Sequence, residues 1–173
     1  VDVLTEIITD VDQVCIMSVN PGFGGQKFIE NTYAKVVNLK SLIVATKSKA
    51  LIEIDGGVDN TNAAKLIKNG ADKNARDALG LTPLMFAARN GDQYSDMAGM
   101  LIGKEADVNA QNNGGWTALM ICCQYKSLKI AEKILRKKPD LKLKTNRGTT
   151  AYAIAKMYEL NELADNIQKM ENN

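Results

Sequence analysis

A stretch that repeats itself is the feature that most restricts what this chain can fold into. Ala71-Asp72-Lys73-Asn74-Ala75 returns as Ala106-Asp107-Val108-Asn109-Ala110, and Gly80-Leu81-Thr82-Pro83-Leu84 returns as Gly115-Trp116-Thr117-Ala118-Leu119, both 35 residues on. A third copy of the second motif, Gly148-Thr149-Thr150-Ala151-Tyr152, follows after 33 residues. A unit of this size is one supersecondary element that cannot bury its apolar face alone, so successive copies stack and share a continuous core. Residues 71–173 are therefore expected to form a stack, and residues 1–70, which lack the repeat, are read separately.

The period and the run Gly80-Leu81-Thr82-Pro83-Leu84-Met85-Phe86-Ala87-Ala88 resemble the ankyrin repeat. The resemblance implies an all-α ankyrin-repeat solenoid of about two repeats and a C-terminal cap. The motif has a mechanism: Thr82 can cap a helix, Pro83 fits its first turn, and small Ala87 and Ala88 let helices pack closely. The second copy places Cys122-Cys123 where the first has Ala87-Ala88, so these thiols are expected to be buried packing residues rather than reactive groups or metal ligands. The longer first period puts two extra residues within Asp92–Met100, before or inside the outer helix. The polar end from Asp165 to Asn173 suits a capping repeat.

Residues 1–70 carry a different pattern. Val3, Leu4, Ile7 and Ile8 have helical spacing over 2–9. Val14-Cys15-Ile16-Met17-Ser18-Val19 reads as a parallel strand covered on both faces, and it ends in Asn20-Pro21-Gly22-Phe23-Gly24-Gly25. A helix is predicted over about 28–46, with Val36, Leu39, Ile43 and Val44 on one side, then a second strand, Leu51–Asp55, ending in Gly56-Gly57. Helix, strand, loop, helix, strand is α/β winding around a parallel pair. Two strands that each end in a diglycine suggest one site, because ligands bind beyond the carboxyl ends of such strands and glycine lets backbone N–H groups approach a phosphate. The same glycines could instead serve only tight turns, and the pattern leaves both readings open.

Met17-Ser18-Val19-Asn20-Pro21-Gly22-Phe23-Gly24-Gly25-Gln26-Lys27-Phe28-Ile29, with Glu53-Ile54-Asp55-Gly56-Gly57-Val58 after it, closely resembles ribulose-phosphate 3-epimerase, in a match over about 70 residues. The resemblance implies an α/β partial TIM barrel, two parallel strands with helices, from the C-terminal half of that family, these being its sixth and seventh strands. It further implies that Gly22, Phe23, Gly24, Gly25, Gly56 and Gly57 contact the substrate phosphate and that Met17 lines the pocket. Asp55 would be both an acid/base carboxylate and a ligand of a divalent metal (Zn, Fe, Mn or Co).

Epimerising a carbon beside a carbonyl needs two acid/base groups on opposite faces and a stabiliser for the enediolate charge. The family takes its second carboxylate and two histidine metal ligands from early strands; this sequence matches only Asp55, and it has no histidine at all. Glu53 shares the face of Asp55 but sits roughly 7 Å down the strand. The segment is expected to be catalytically incomplete and to bind no cofactor as it stands, with open strand edges that invite self-association. The alternative is an epimerase whose remaining half is supplied from elsewhere, since the chain begins at Val1 and reads as trimmed or incomplete. The junction, Asn62 to Asp72, suits both families and is expected to run as one continuous helix.

By resemblance, the stack binds proteins through its hairpin tips and inner helices. That surface comprises Arg76, Ala78, Leu79, Leu81, Arg89 and Asn90 in the first copy, then Gln111, Asn113, Trp116, Gln124 and Tyr125, then Asn146, Arg147, Thr149, Met157 and Tyr158. Trp116 and Tyr125 have the contact area typical of binding hot spots; Trp116 could equally pack on its own neighbouring repeat. The run Lys133, Arg136, Lys137, Lys138, Lys142, Lys144 and Arg147 puts seven cations in fifteen residues. Such runs are usually solvated faces, and with a net charge of only +2 a nucleic-acid partner is not expected. No apolar run approaches the roughly 18 residues of a membrane span, and three cysteines without a CxxC pair fit a reducing, cytoplasmic setting.

Overall fold

A computed structural model describes residues 4–19, 28–55, 62–69 and 71–172. The chain divides into two compact units, Val1–Asp72 and Lys73–Asn173.

The first unit is built on two parallel strands, β1 (Gln13–Met17) and β2 (Leu51–Asp55), joined through helix α1 (Thr32–Thr46) and followed by the short helix α2 (Ala63–Lys68). The register pairs Gln13 with Leu51, Cys15 with Glu53 and Met17 with Asp55, so the carboxyl ends of both strands lie side by side. Ile16 and Ile52 pack with Val36, Leu39 and Ile43 of α1, Leu66 of α2 and Ile8 into one apolar cluster. Phe28 lies against Tyr33 with ring centroids 5.2 Å apart, and Lys65 of α2 places its ammonium 3.8 Å from the centre of the Tyr33 ring.

Four local expectations need correction. Of the helical spacing over 2–9, residues 2 and 3 lie outside the described residues, Leu4 is in a 3-10 helix, and 5–10 form turns, with Ile7 N–H and Ile8 N–H donating to Leu4 O. β1 is not covered on both faces: Ile16 is buried while Cys15 and Met17 are exposed, because α1 packs against one side of the pair. The continuous junction helix is the six-residue α2, ending at Lys68. α1 also starts at Thr32, four residues later than its apolar pattern suggests.

The second unit is a stack of helix pairs: α3 (Pro83–Asn90) with α4 (Ser95–Gly103), α5 (Ala118–Tyr125) with α6 (Leu128–Leu135), and α7 (Ala151–Met157) with α8 (Asn161–Glu171). Each inner helix starts on a threonine that accepts from the backbone three residues on: Met85 N–H to Thr82, Met120 N–H to Thr117 and Ala153 N–H to Thr150. Such caps contribute about 1 kcal/mol each. The two extra residues of the first period form a 3-10 turn, Asp92–Tyr94, ahead of α4. Ala87, Ala88, Cys122, Cys123 and Ala155 are all fully buried, which lets consecutive inner helices approach closely. Leu101, Ile130, Ile134 and Ile167 fill the space between the outer and inner rows. Copies are also joined through polar groups: Ser127 Oγ donates to Ala88 O at 2.6 Å, and the Asp92 carboxylate accepts from Lys129 N–H and Ile130 N–H at the start of α6.

Candidate functional site

The tips between helix pairs are folded by one recurring device. Asp77 Oδ1 accepts from Leu79 N–H and Leu81 N–H, Asn112 Oδ1 from Gly114 N–H and Trp116 N–H, and Thr145 Oγ1 from Thr149 N–H. Gly80, Gly115 and Gly148 close these turns at φ of +75°, +77° and +80°. At Gly115 a side chain is also excluded by space, since a Cβ would stand 2.7 Å from Asn146 N. Each tip then bonds to the next: Asn113 N–H and Nδ2 donate to Leu79 O and Ala78 O, and Asn146 N–H and Nδ2 donate to Gly114 O and Asn113 O. Arg76 Nη1 donates to Gln111 O at 2.6 Å, and Gln111 Nε2 to Lys144 O at 2.9 Å. Arg76 and Asn113 thus spend donors within the stack.

Beside the last two tips lies a groove of about 560 Å³, lined by Gly114, Trp116, Gln124, Thr145, Asn146, Arg147, Thr149, Ile154, Met157 and Tyr158. It brings together Trp116, Gln124, Arg147 and Tyr158 from the expected contact surface, along with Asn146, Thr149 and Met157. Arg76, Leu79, Leu81, Arg89, Asn113 and Tyr125 do not line it. Of these, Leu79 and Tyr125 are exposed apolar residues, at 60% and 46% of their surface. Gly114 has a specific use here: a Cβ on it would stand 3.1 Å from the Trp116 ring, so glycine leaves room for the indole. Sequence reasoning did not pick out Gly114 or Thr145, whose signal is only their place one or two positions from a tip.

In the first unit the described part of the candidate phosphate site is its base. Ile29 N–H donates to Ser18 O at 2.7 Å, so the chain re-enters beside the end of β1. Met17 is 42% exposed at that end, next to the backbone of Asp55. Gly22, Phe23, Gly24, Gly25, Gly56, Gly57 and the Asp55 side chain lie outside the described residues. Glu53, the other carboxylate on β2, accepts from Gln13 Nε2.

With this geometry in hand, comparison with known proteins separates the two units. A profile described as ankyrin repeats (3 copies) matches residues 56–147, more than half of the chain. The chain belongs to the ankyrin-repeat family. A profile of the ribulose-phosphate 3 epimerase family matches residues 1–75. Over 66 residues the chain is 47% identical to the chloroplastic ribulose-5-phosphate-3-epimerase of Arabidopsis thaliana, covering 38% of this chain and 24% of that protein. It is 44% identical over 69 residues to the ribulose-phosphate 3-epimerase of Aquifex aeolicus, covering 40% and 31%, and 42% identical over 73 residues to that of Bacillus subtilis, covering 42% and 34%. The chain therefore spans about a quarter to a third of the length of the curated relatives it matches. The expected C-terminal half is corrected on both counts: the epimerase-like region is an N-terminal fragment of this ankyrin protein, and it is smaller than a half.

The epimerase resemblance assigns a divalent metal to Asp55, whose side chain lies outside the described residues. Among the described residues no group of three or more His, Cys, Asp or Glu side chains could hold a metal ion, and the sequence contains no histidine. The ankyrin thiols are closed to such chemistry as well. Burial, then the neighbouring Cys123 and Asp92, raises Cys122 well above the usual thiol range, and burial pushes Cys123 up to about 12. Both stay protonated and unreactive at neutral pH. Among the described residues no helix is long and apolar enough to cross a membrane.

Proposed function

We propose that the chain is a protein-binding ankyrin module, and that its epimerase-like region does not catalyse. The groove at the last two tips carries the reading: it joins a half-buried tryptophan on a tip to the end of the next inner helix at Met157 and Tyr158. Large amphipathic side chains in a concave site supply contact area at small entropic cost. Panning a displayed random-peptide library on the full chain tests it. Clones that bind the native chain and lose binding in Trp116→Ala are expected; a library that yields no such clone would overturn the reading. A cytoplasmic setting and a partner met through Arg89, Leu79, Leu81 and Tyr125 as well as the groove are part of the same proposal.

A second reading, a metal-dependent pentose-phosphate epimerase completed by further barrel strands, is favoured by one observation: Met17 and Asp55 are register partners, as two adjacent strands contributing to one phosphate site require. Gly22, Phe23, Gly24, Gly25, Gly56 and Gly57 would then cradle the phosphate and Asp55 would serve as acid/base and metal ligand. One assay separates the readings. Turnover of ribulose 5-phosphate with added Mn or Co that disappears in Asp55→Ala supports the second; no turnover supports the first.

A further inference from the structure

The groove is not chemically neutral, and its imbalance says what it would take. Four of its side chains end in polar groups with no partner among the described residues: the Trp116 indole N–H, the Gln124 amide, the Arg147 guanidinium and the Tyr158 hydroxyl. Indole N–H and guanidinium can only donate, and the other two can donate as well. No carboxylate lines the groove, so its single formal charge is the cation of exposed Arg147. On the tip that carries Arg147, Asn146 Nδ2 is committed to Asn113 O, which leaves its Oδ1 and the Thr149 hydroxyl as acceptors, fewer than the donors around them. What remains is a surplus of donors around an apolar floor that includes Ile154 and an arm of Met157, which is 71% exposed.

A surplus of donors selects a ligand rich in acceptors, and an unpaired guanidinium selects a planar carboxylate over a neutral group. We infer that this groove recognises a protein segment in which an aliphatic or aromatic side chain is flanked by Asp or Glu, the apolar group lying between Trp116 and Met157 and the carboxylate on Arg147. This rests on the protein-binding reading above and narrows it to an acidic, apolar class of partner. Lys144, whose carbonyl is tied to Gln111, adds a second positive charge on the same tip segment and reinforces the preference.

The test uses the peptides recovered from the library, resynthesised with a fluorophore and titrated by anisotropy against the full chain. Peptides enriched in Asp or Glu beside a large apolar residue are expected, and raising the salt from 50 to 500 mM should weaken them several-fold. Arg147→Glu should weaken these peptides at least tenfold and, in a repeat selection, turn the preference towards Lys and Arg. Arg147→Lys should keep most of the affinity. Because Arg147 has no side-chain bond among the described residues, an unchanged thermal midpoint in Arg147→Glu shows that the effect is not unfolding. Binders that are neutral or basic, or acidic binders indifferent to Arg147→Glu, would overturn the inference while leaving protein binding intact; absence of any binder would overturn both.

Discussion

The two units solve the same problem, exposed backbone and apolar surface, in opposite ways. In the ankyrin unit every copy carries its own means of attachment. Asn113 and Asn146 bond back to the preceding tip, while Asn74 Oδ1 and Asn109 Oδ1 accept from Asp107 N–H and Asp140 N–H in the copy that follows. In a closed barrel the attachment is instead shared out over all the strands. In the epimerase-like unit β1 pairs with β2, no third strand joins them among the described residues, and Met17 and Leu51 leave 42% and 49% of their surfaces open. A solenoid cut to a few repeats keeps its interfaces because contacts are between neighbours. A closed barrel cut to two strands keeps one helix-covered face and loses the closure that removes its edges.

The largest expected contrast is in thiol access. Cys15 sits exposed on β1, whereas Cys122 and Cys123 are fully buried between inner helices. Labelling with a thiol reagent at neutral pH should modify Cys15 at once and the ankyrin pair at least ~10³-fold more slowly, since access requires opening a unit stable by about 5 kcal/mol. Fast labelling at all three positions would break the comparison. The same burial gives a pH dependence. The folded thiols hold their protons above the ordinary value of 9.0, so their contribution is fully present below pH 9 and is lost as pH rises towards about 12. In that window the unfolded thiol ionises first, costing about 1.4 kcal/mol per pH unit for each. Urea midpoints at pH 8, 9.5 and 10.5, in wild type and Cys123→Ala, check the sign: the alkaline fall should be shallower in the variant.

Next in size is the ankyrin core. Ile134 on α6 is fully buried, and Ile134→Ala should cost about 3–4 kcal/mol. Trp116, the chain's single tryptophan, reports it directly in a denaturant melt. A cost under 1 kcal/mol would mean that the copies are not sharing a core.

How far these structures could be read in advance differs for the same reason that their stabilities should. Thr82, Thr117 and Thr150 cap three helices at the positions that define the period, so finding the repeat was equivalent to finding the helix starts. The groove was partly legible, because Trp116, Gln124, Arg147 and Tyr158 sit at tip and inner-helix positions. What the pattern could not show is that Arg76 and Asn113 commit donors to neighbouring tips, since one-letter spacing does not say which amide faces inward. In the first unit the apolar run Val14–Met17 suits a sheet covered on both faces, and its residue types do not reveal that α1 covers only one. The overlap of the two profile matches over residues 56–75 has the same origin: a short amphipathic helix leading into Ala71-Asp72 serves either fold.

Two glycine substitutions at equivalent tips divide conformational cost from crowding. Gly148→Ala places a Cβ in open space at φ +80° and should cost about 1 kcal/mol, the penalty of a left-handed backbone alone. Gly115→Ala has nearly the same φ, +77°, but meets Asn146 N at 2.7 Å, so the next tip must move. About 2–3 kcal/mol is expected there, with loss of protection at the Asn146 amide in hydrogen exchange. Equal costs at both sites would show that tips do not press on one another.

The smallest effect bears on the region both profiles claim. Lys65 of α2 lies 3.6 Å from Glu30 and over the Tyr33 ring, and both charged side chains are largely exposed, at 58% and 79%. Solvent screens such a pair, so Lys65→Met, which keeps the methylene stem on the ring, should change stability by less than about 0.5 kcal/mol. Its value is as a position marker. With Leu66 buried against α1, the substitution removes a cation from the face of Tyr33 and should shift that ring's proton resonances without moving the ankyrin amides of residues 117–135. The converse pattern, an unmoved Tyr33 with shifted ankyrin amides, would place α2 in the repeat array and break the comparison at its boundary: the helix would then complete the repeat that the ankyrin profile extends back to residue 56.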